Sequence, residues 1–510
     1  MELNDPPIAK VNPKHITKHN HTRTDNYFWL NERENPEVIA YLEDENAYTK
    51  AVMKNTEDLK ETLYNEMVNR IKQDDSSVPF FDNGFFYYTR YEEGKEYPIY
   101  CRKAGSLEAP EKIMLNVNEM AEGFDFYHVR GLSVSRNNKY LAYGVDTLSR
   151  RMYTLHVKNL ETGENLSVDV PQTSGGYAWA NDDETIFYTL KDETTLRPYK
   201  VMKMDVFSSP YEAEEMFTEN DETFYTGVYK TKSEKYIIIS SGSTLSNEYR
   251  FANADNPDHF QVFQPREREL EYGIAHFNDK FLIITNLNAK NFRLMETSVD
   301  ETSKEHWQEV IPHREDVFLE EIEVFDNFLV VNERKDGLAN LRVMEWQTGN
   351  EHYIDFAEEA YVAGIHVNPM FDSKILRFSY SSLTTPYSIY DYNMETRDRE
   401  LKKQQEVVGE FSPEEYEAKR LYAPARDGKK IPISMVYRKD VPINENTPLL
   451  LYGYGSYGHT IDPYFSSVRL SLLDRGFVFA IAHIRGSQIY GREWYDDGKM
   501  LNKKNTFTDF

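Results

Sequence analysis

At 510 residues, with a formal charge of −26 and a pI near 5.0, the chain is too long for one ordinary domain. It is also too acidic to engage nucleic acid, since phosphate binding needs a cationic face. A single cysteine, Cys101, excludes an intrachain disulfide and a cysteine-built metal site, and no window reaches membrane-spanning length. The hydrophobic fraction of 40% is enough for real cores, and 37 tyrosines with 29 phenylalanines favour a mainly β fold.

The first residues, Met1 to Lys14, lack the apolar stretch of a secretion signal, so a soluble cytoplasmic protein is expected, with no membrane partner. An acidic surface suits short basic peptides as guests, and it equally suits plain solubility. Asn35, Pro36 and Glu37 read as a helix start, with a capping amide, proline at the first helical position and an acid in the first turn. A second start at Thr56 leads into Leu59, Leu63, Met67 and Ile71 at helical spacing, so a helical hairpin is expected within residues 26–75.

From Phe80 the period changes. A short strand, a turn rich in Asn, Asp, Ser and Lys, and a more apolar strand recur from Phe80, Gly131, Tyr177, Gly227, Ile274, Glu323 and Ile365. Seven copies about 42 to 51 residues apart match four-stranded propeller blades, and predict a seven-bladed β-propeller over 76–408. A sandwich of unrelated hairpins is the rival arrangement. Cys101 is expected on a strand, buried or half-buried.

Beyond 408 the pattern becomes α/β. Tyr416 to Ala425 and Lys429 to Arg438 read as strands joined by a turn at Arg426, Asp427 and Gly428. Pro448 to Leu451 is an apolar strand running into Tyr452-Gly-Tyr-Gly-Ser-Tyr-Gly458, followed by a helix within Tyr464 to Gly476 and a buried strand over Phe477 to Ala482. In such parallel sheets ligands bind at the carboxyl ends of strands, where the glycine-rich turn and the segment Ile484 to Ser487 both fall. Asn505 to Thr508 reads as a helix start, and 409–510 as the N-terminal portion of an α/β-hydrolase domain that a hundred residues cannot complete.

Hydrolysis by serine in this fold needs a G-x-S-x-G elbow, and none occurs: Tyr454 stands where the first glycine would be, which leaves Ser456 as a loop serine. His459 and His483 are the only histidines of this region, and neither has a carboxylate partner readable from spacing; His483, after an apolar strand, reads as structural. There is no H-E-x-x-H, and His313, His352 and His366 lie on separate units, so no metal and no cofactor are expected.

The segments 448–458, 475–486 and 490–510 resemble the prolyl oligopeptidase family of serine peptidases, and most of all its oligopeptidase B (protease II) branch. Residues Pro6 to Lys10, Arg23 to Leu30, Asn35 to Thr49, Ser149 to Tyr153 and Trp179 to Asn181 are similar to that branch as well. The resemblance covers essentially the whole chain. It implies a propeller capping an α/β-hydrolase domain, with residues 1–75 associated with the latter. It implies that Tyr454 donates its hydroxyl to the oxyanion hole, and that substrates are short peptides cut after Arg or Lys.

Some members hold a basic residue with two acids after the glycine turn. Asp462 matches the first, and Tyr464 stands at the second, which departs from the pattern. Asp462 followed by Pro463 also reads as a helix cap. Arg150 and Arg151 match a propeller region that faces the interdomain cavity in relatives, and they read equally as surface ion-pair residues. The family's Ser, Asp and His triad falls after Phe510, so residues 1–510 alone are expected to be inactive, with the rest of the hydrolase domain as partner. A propeller binding module for basic peptides, and a proline-specific peptidase, are the competing readings.

Overall fold

The computed structural model describes residues 5–510, so the first four positions of the N-terminal reading lie outside the described residues. The chain divides into two compact units, Met1–Ile71 and Lys72–Phe510. In the first, Asn35 accepts a hydrogen bond from the backbone N–H of Glu37 and opens a helix over Pro36–Val52, and a second helix spans Glu57–Asn69. A hairpin of Lys14–Lys18 and His21–Asp25, not foreseen from the sequence, precedes them. It has no apolar alternation to announce it; its turn is made by His19 and Asn20, both at positive φ as a tight hairpin turn requires.

The second unit opens with a seven-bladed propeller, its blades lying in residues 80–116, 128–173, 177–218, 225–264, 272–311, 317–353 and 361–404. Every blade is a four-stranded antiparallel meander. Blades 2 and 3 share one ten-residue strand, Val170–Trp179. Its first half pairs back through Val170↔Leu155 and Thr173↔Tyr153, and its second half pairs forward through Tyr177↔Tyr188 and Trp179↔Ile186.

Cores form between blades rather than within them. Ile237, Phe281, Leu329 and Val330 belong to central strands packed on both faces and are completely buried. Clusters such as Phe325, Val330, Leu341 and Phe378 therefore bridge neighbouring blades, each side chain contributing about 1.5–3 kcal/mol by burial. Cys101 is one of these interior residues, on the strand Ile99–Ala104, and burial pushes its thiol up to about 11.

The ring closes without strand exchange, because blade 1 and blade 7 are each built from one continuous segment. Polar contacts span the seam. Arg377 pairs with Asp391 at 2.7 Å and donates to the Pro79 carbonyl, and Lys403 Nζ reaches both oxygens of Asp75 at 2.7 Å.

The remaining residues form a four-stranded mixed sheet, ordered Tyr416–Pro424, Lys430–Arg438, Val478–Ala482 and Leu449–Tyr452, with the last two parallel. The helix between them is shorter than its apolar spacing suggests, Ser467–Leu473. A final helix spans Lys504–Asp509. Leu449 and Leu450, on the edge strand, are exposed. Among the described residues no helix is long and apolar enough to cross a membrane.

The shared strand of blades 2 and 3 depends on close backbone approach. A Cβ on Gly131, at φ +73°, would lie 2.1 Å from the Gly175 carbonyl oxygen. Gly131→Ala is expected to cost about 2–4 kcal/mol in a urea melt, combining left-handed strain with overpacking. Gly84→Ala, at φ +84° with open space around it, should cost only about 1–2 kcal/mol.

Candidate active site at the domain junction

The strand Leu449–Tyr452 ends in the turn Tyr452 to Gly458, and the neighbouring parallel strand ends in Ile484 to Ser487. The two turns lie against each other. Gly458 N–H donates to the Gly486 carbonyl at 2.9 Å, and a Cβ on Gly486 would fall 2.1 Å from the Gly455 oxygen. Lys503 donates to Ser456 Oγ at 2.6 Å and to the Gly455 carbonyl, while Thr506 Oγ1 donates to the Arg485 carbonyl at 2.8 Å. The final helix thus braces the glycine turn. An ammonium on its hydroxyl makes Ser456 an acceptor, the reverse of what a base does for a nucleophile.

Tyr454 projects from this turn, 46% exposed, with its ring edge-on to His459 at 5.6 Å and no hydrogen-bond partner for the phenol among the described residues. His483 is buried, and its Nε2 lies 2.8 Å from Ser434 Oγ. This serine–histidine contact is sealed from solvent, and burial pushes the imidazole down to about 3, so the ring is neutral and serves the core.

Asp462 is not a helix cap. The helix begins at Ser467, and Pro463 is not its first residue. Instead Asp462 takes a two-pronged hydrogen bond from Arg334 of blade 6, Nη1 to Oδ1 at 2.8 Å and Nη2 to Oδ2 at 3.2 Å. The same guanidinium donates Nε to Glu320 at 3.0 Å. Arg334 is 6% exposed as a side chain, and the two carboxylates outweigh its desolvation and hold its pKa above the ordinary value.

Glu320 sits at a β-bulge: Leu319 pairs with Glu333 and Glu321 with Asn332, leaving Glu320 unpaired in the ladder and turned into the junction. Burial raises its carboxyl above the usual range, only partly opposed by Arg334. Burial also raises the Tyr464 phenol, with Asp462 adding to the effect.

A second bridge lies across the junction, where Arg492 Nη2 contacts both oxygens of Glu271 at 2.9 and 2.8 Å and Arg492 N–H donates to Asn291. Between the bridges are cavities of about 280, 480 and 470 Å3, lined from the propeller and from the C-terminal segment. Their walls include Glu320, Arg334, Asp462, Tyr464, His459 and Gln488. Among the described residues no group of three or more His, Cys, Asp or Glu is arranged to hold a metal.

Arg150 and Arg151 lie elsewhere, on the exposed turn between the second and third strands of blade 2. The buried carboxylate of Asp146 shapes that turn by accepting from the N–H groups of Leu148 and Arg151. Neither guanidinium forms an ion pair among the described residues, so they are not surface ion-pair residues. The corresponding turns of blades 5 and 6 carry Asn291 and Asp336, which touch the C-terminal segment, so the arginines share that face of the ring without meeting Asp462 or Tyr454.

Sequence reasoning singles out Tyr454 and Asp462 and misses Glu320, Arg334, Glu271 and Arg492. The pairs are separated by 128 and 221 residues, and nothing local marks them.

A propeller set against the strand ends of a four-stranded mixed sheet, with an acid-walled cavity between them, defines a propeller-capped α/β protein. Comparison makes this specific. Residues 6–405 match the family described as "Prolyl oligopeptidase, N-terminal beta-propeller domain", and residues 463–510 match "Prolyl oligopeptidase family". The chain belongs to the prolyl oligopeptidase family of serine peptidases. It is 44% identical to dipeptidyl aminopeptidase BI of Pseudoxanthomonas mexicana, over 99% of this chain and 72% of that one. It is 35% identical to protease 2 of Moraxella lacunata, over 99% and 74%. Its structure superposes on oligopeptidase B from Leishmania major with a TM-score of 0.93 at 31% identity, covering 99% of this chain and 75% of that one.

Arg334→Ala should destabilise the chain by about 3–5 kcal/mol in urea, because it leaves two partly buried carboxylates uncompensated. Adding Glu320→Gln and Asp462→Asn to Arg334→Ala should recover much of that loss. His483 gives a pH signature. Below about pH 6.5 the unfolded imidazole binds a proton that the folded one refuses until about 3, so stability falls as pH falls through this window. Urea melts from pH 7 to 4 should show the parent losing about 1.4 kcal/mol per pH unit more than His483→Gln.

Proposed function

We propose that this chain supplies the propeller and the first part of the peptidase domain of an oligopeptidase B-like enzyme that cleaves short peptides after Arg or Lys. The observation that carries the reading is the match along 99% of the chain to an oligopeptidase B structure, with acids walling the cavity beside the glycine turn. In this reading the propeller limits entry to short peptides, and residues 1–75 belong with the peptidase domain.

The Tyr454 phenol, exposed and just past a strand end, donates to the oxygen that becomes negative as the scissile carbonyl is attacked. One such donor is worth about 3–4 kcal/mol in the transition state. Asp462 reaches the substrate only through Arg334, so its contribution is to position. Arg150 and Arg151 act at the propeller face, on the peptide's path. Residues 1–510 hold no G-x-S-x-G elbow, and on their own they bind peptides without turning them over. A second reading, release of dipeptides from a free amino terminus, is favoured by the name of the 44% identical relative, dipeptidyl aminopeptidase BI.

Fluorogenic peptides with Arg, Lys or Pro before the scissile bond test this, together with a fluorophosphonate probe. The expected outcome is no turnover and no labelled serine for residues 1–510, and cleavage after Arg or Lys when the peptidase domain is complete. In that complete form Tyr454→Phe should lower kcat by about 100- to 1000-fold with little change in KM. A labelled serine within 1–510, or cleavage after proline, overturns the reading. Comparing free with acetylated amino termini decides between endopeptidase and dipeptide release.

A further inference from the structure

Among the described residues, Glu320 alone borders all three cavities of the domain junction. The charges around it do not balance, since Arg334 carries one positive charge against the two carboxylates of Glu320 and Asp462. Both oxygens of Asp462 are occupied by the guanidinium fork, whereas Glu320 gives Arg334 only Oε1 and its Oε2 accepts no hydrogen bond from a described residue.

Two further acceptors stand nearby. Asn332 Oδ1 and Gln488 Oε1 have no hydrogen-bond partner among the described residues, and these residues line the cavities that Glu320 shares. Gln488 is oriented by donating Nε2 to the Gly458 carbonyl at 3.2 Å, which leaves its oxygen as the free end. The surroundings thus offer acceptors in excess and one uncancelled negative charge. An anion finds little here, because Arg334 spends Nε, Nη1 and Nη2 on the two carboxylates. A cationic nitrogen, all donor and no acceptor, is the complementary guest. Burial that disfavours the ionised Glu320 adds to the case, because a bound cation offsets it.

We infer that Glu320 is the receptor for a cationic nitrogen of the peptide substrate, with Arg334 and Asp462 as positioning residues that aim its carboxylate into the junction. The inference rests on the peptidase reading. It reassigns cation recognition from Asp462, which matches the acid after the glycine turn, to a bulge residue of blade 6. The cation is either the α-ammonium of a free amino terminus or a Lys or Arg side chain, the same chemistry from two sources.

Isothermal titration of the 510-residue chain with three tetrapeptide amides is the test: Ala-Ala-Ala-Ala with a free amino terminus, its N-acetyl form, and N-acetyl-Ala-Lys-Ala-Ala. At least one cationic peptide should bind about tenfold or more tighter than the neutral one, the size expected of one charge-assisted contact. Glu320→Gln, which keeps an acceptor for Arg334, should abolish that preference without changing the affinity of the neutral peptide, and Glu320→Asp should restore part of it. Preference for the free amino terminus assigns the α-ammonium, and preference for the lysine peptide assigns the side chain; both support the inference. Equal binding of all three, or a preference that survives Glu320→Gln, overturns it. Absence of binding by every peptide is a different result, and removes the peptidase reading along with this one.

Discussion

The junction between propeller and peptidase segment turns on one guanidinium. Arg334 is nearly buried and has a carboxylate from each side, Glu320 within its own blade and Asp462 from the loop after the glycine turn. Burying a charge this deeply is tolerable only when its donors are matched, and the fork of Arg334 matches them in a single geometry. That geometry fixes where the loop 459–466 lies on blade 6. The glycine turn, the cavities and the Tyr454 phenol follow from it, because all are tethered to the same short segment.

A rigid platform makes such a clamp useful. The propeller's cores run between neighbouring blades, which holds the blades around the junction in fixed positions. Across the seam between blades 1 and 7, Arg377 donates to the Pro79 carbonyl and Lys403 pairs with Asp75.

Much of the architecture is legible in the linear chain, because its signals are local. Asn35 with Pro36 and Glu37 announces a helix start, and the cap is made by those atoms. Runs such as Ile237 to Ile239 and Phe328 to Val331 announce doubly buried strands, and their recurrence yields the blade count. The hairpin of Lys14–Lys18 and His21–Asp25 escapes notice because its side chains are mostly exposed and polar, leaving no alternation to detect. The helix after Asp462 starts later than its cap signal suggests. Asp462 has a stronger partner in Arg334, and a capping residue held by a distant guanidinium is not available to cap.

The mainly β character, the seven repeats, the glycine turn at a strand end and the candidacy of Tyr454 are all legible in residues within a few positions of one another. Only the tertiary structure decided what the charged residues do. Asp462 is neutralised by an arginine 128 residues away, a β-bulge aims Glu320 into the junction, and the Ser434–His483 contact is sealed in a core. Charge pairing and desolvation depend on separation in space and on depth from water, and neither quantity is written in the order of the residues.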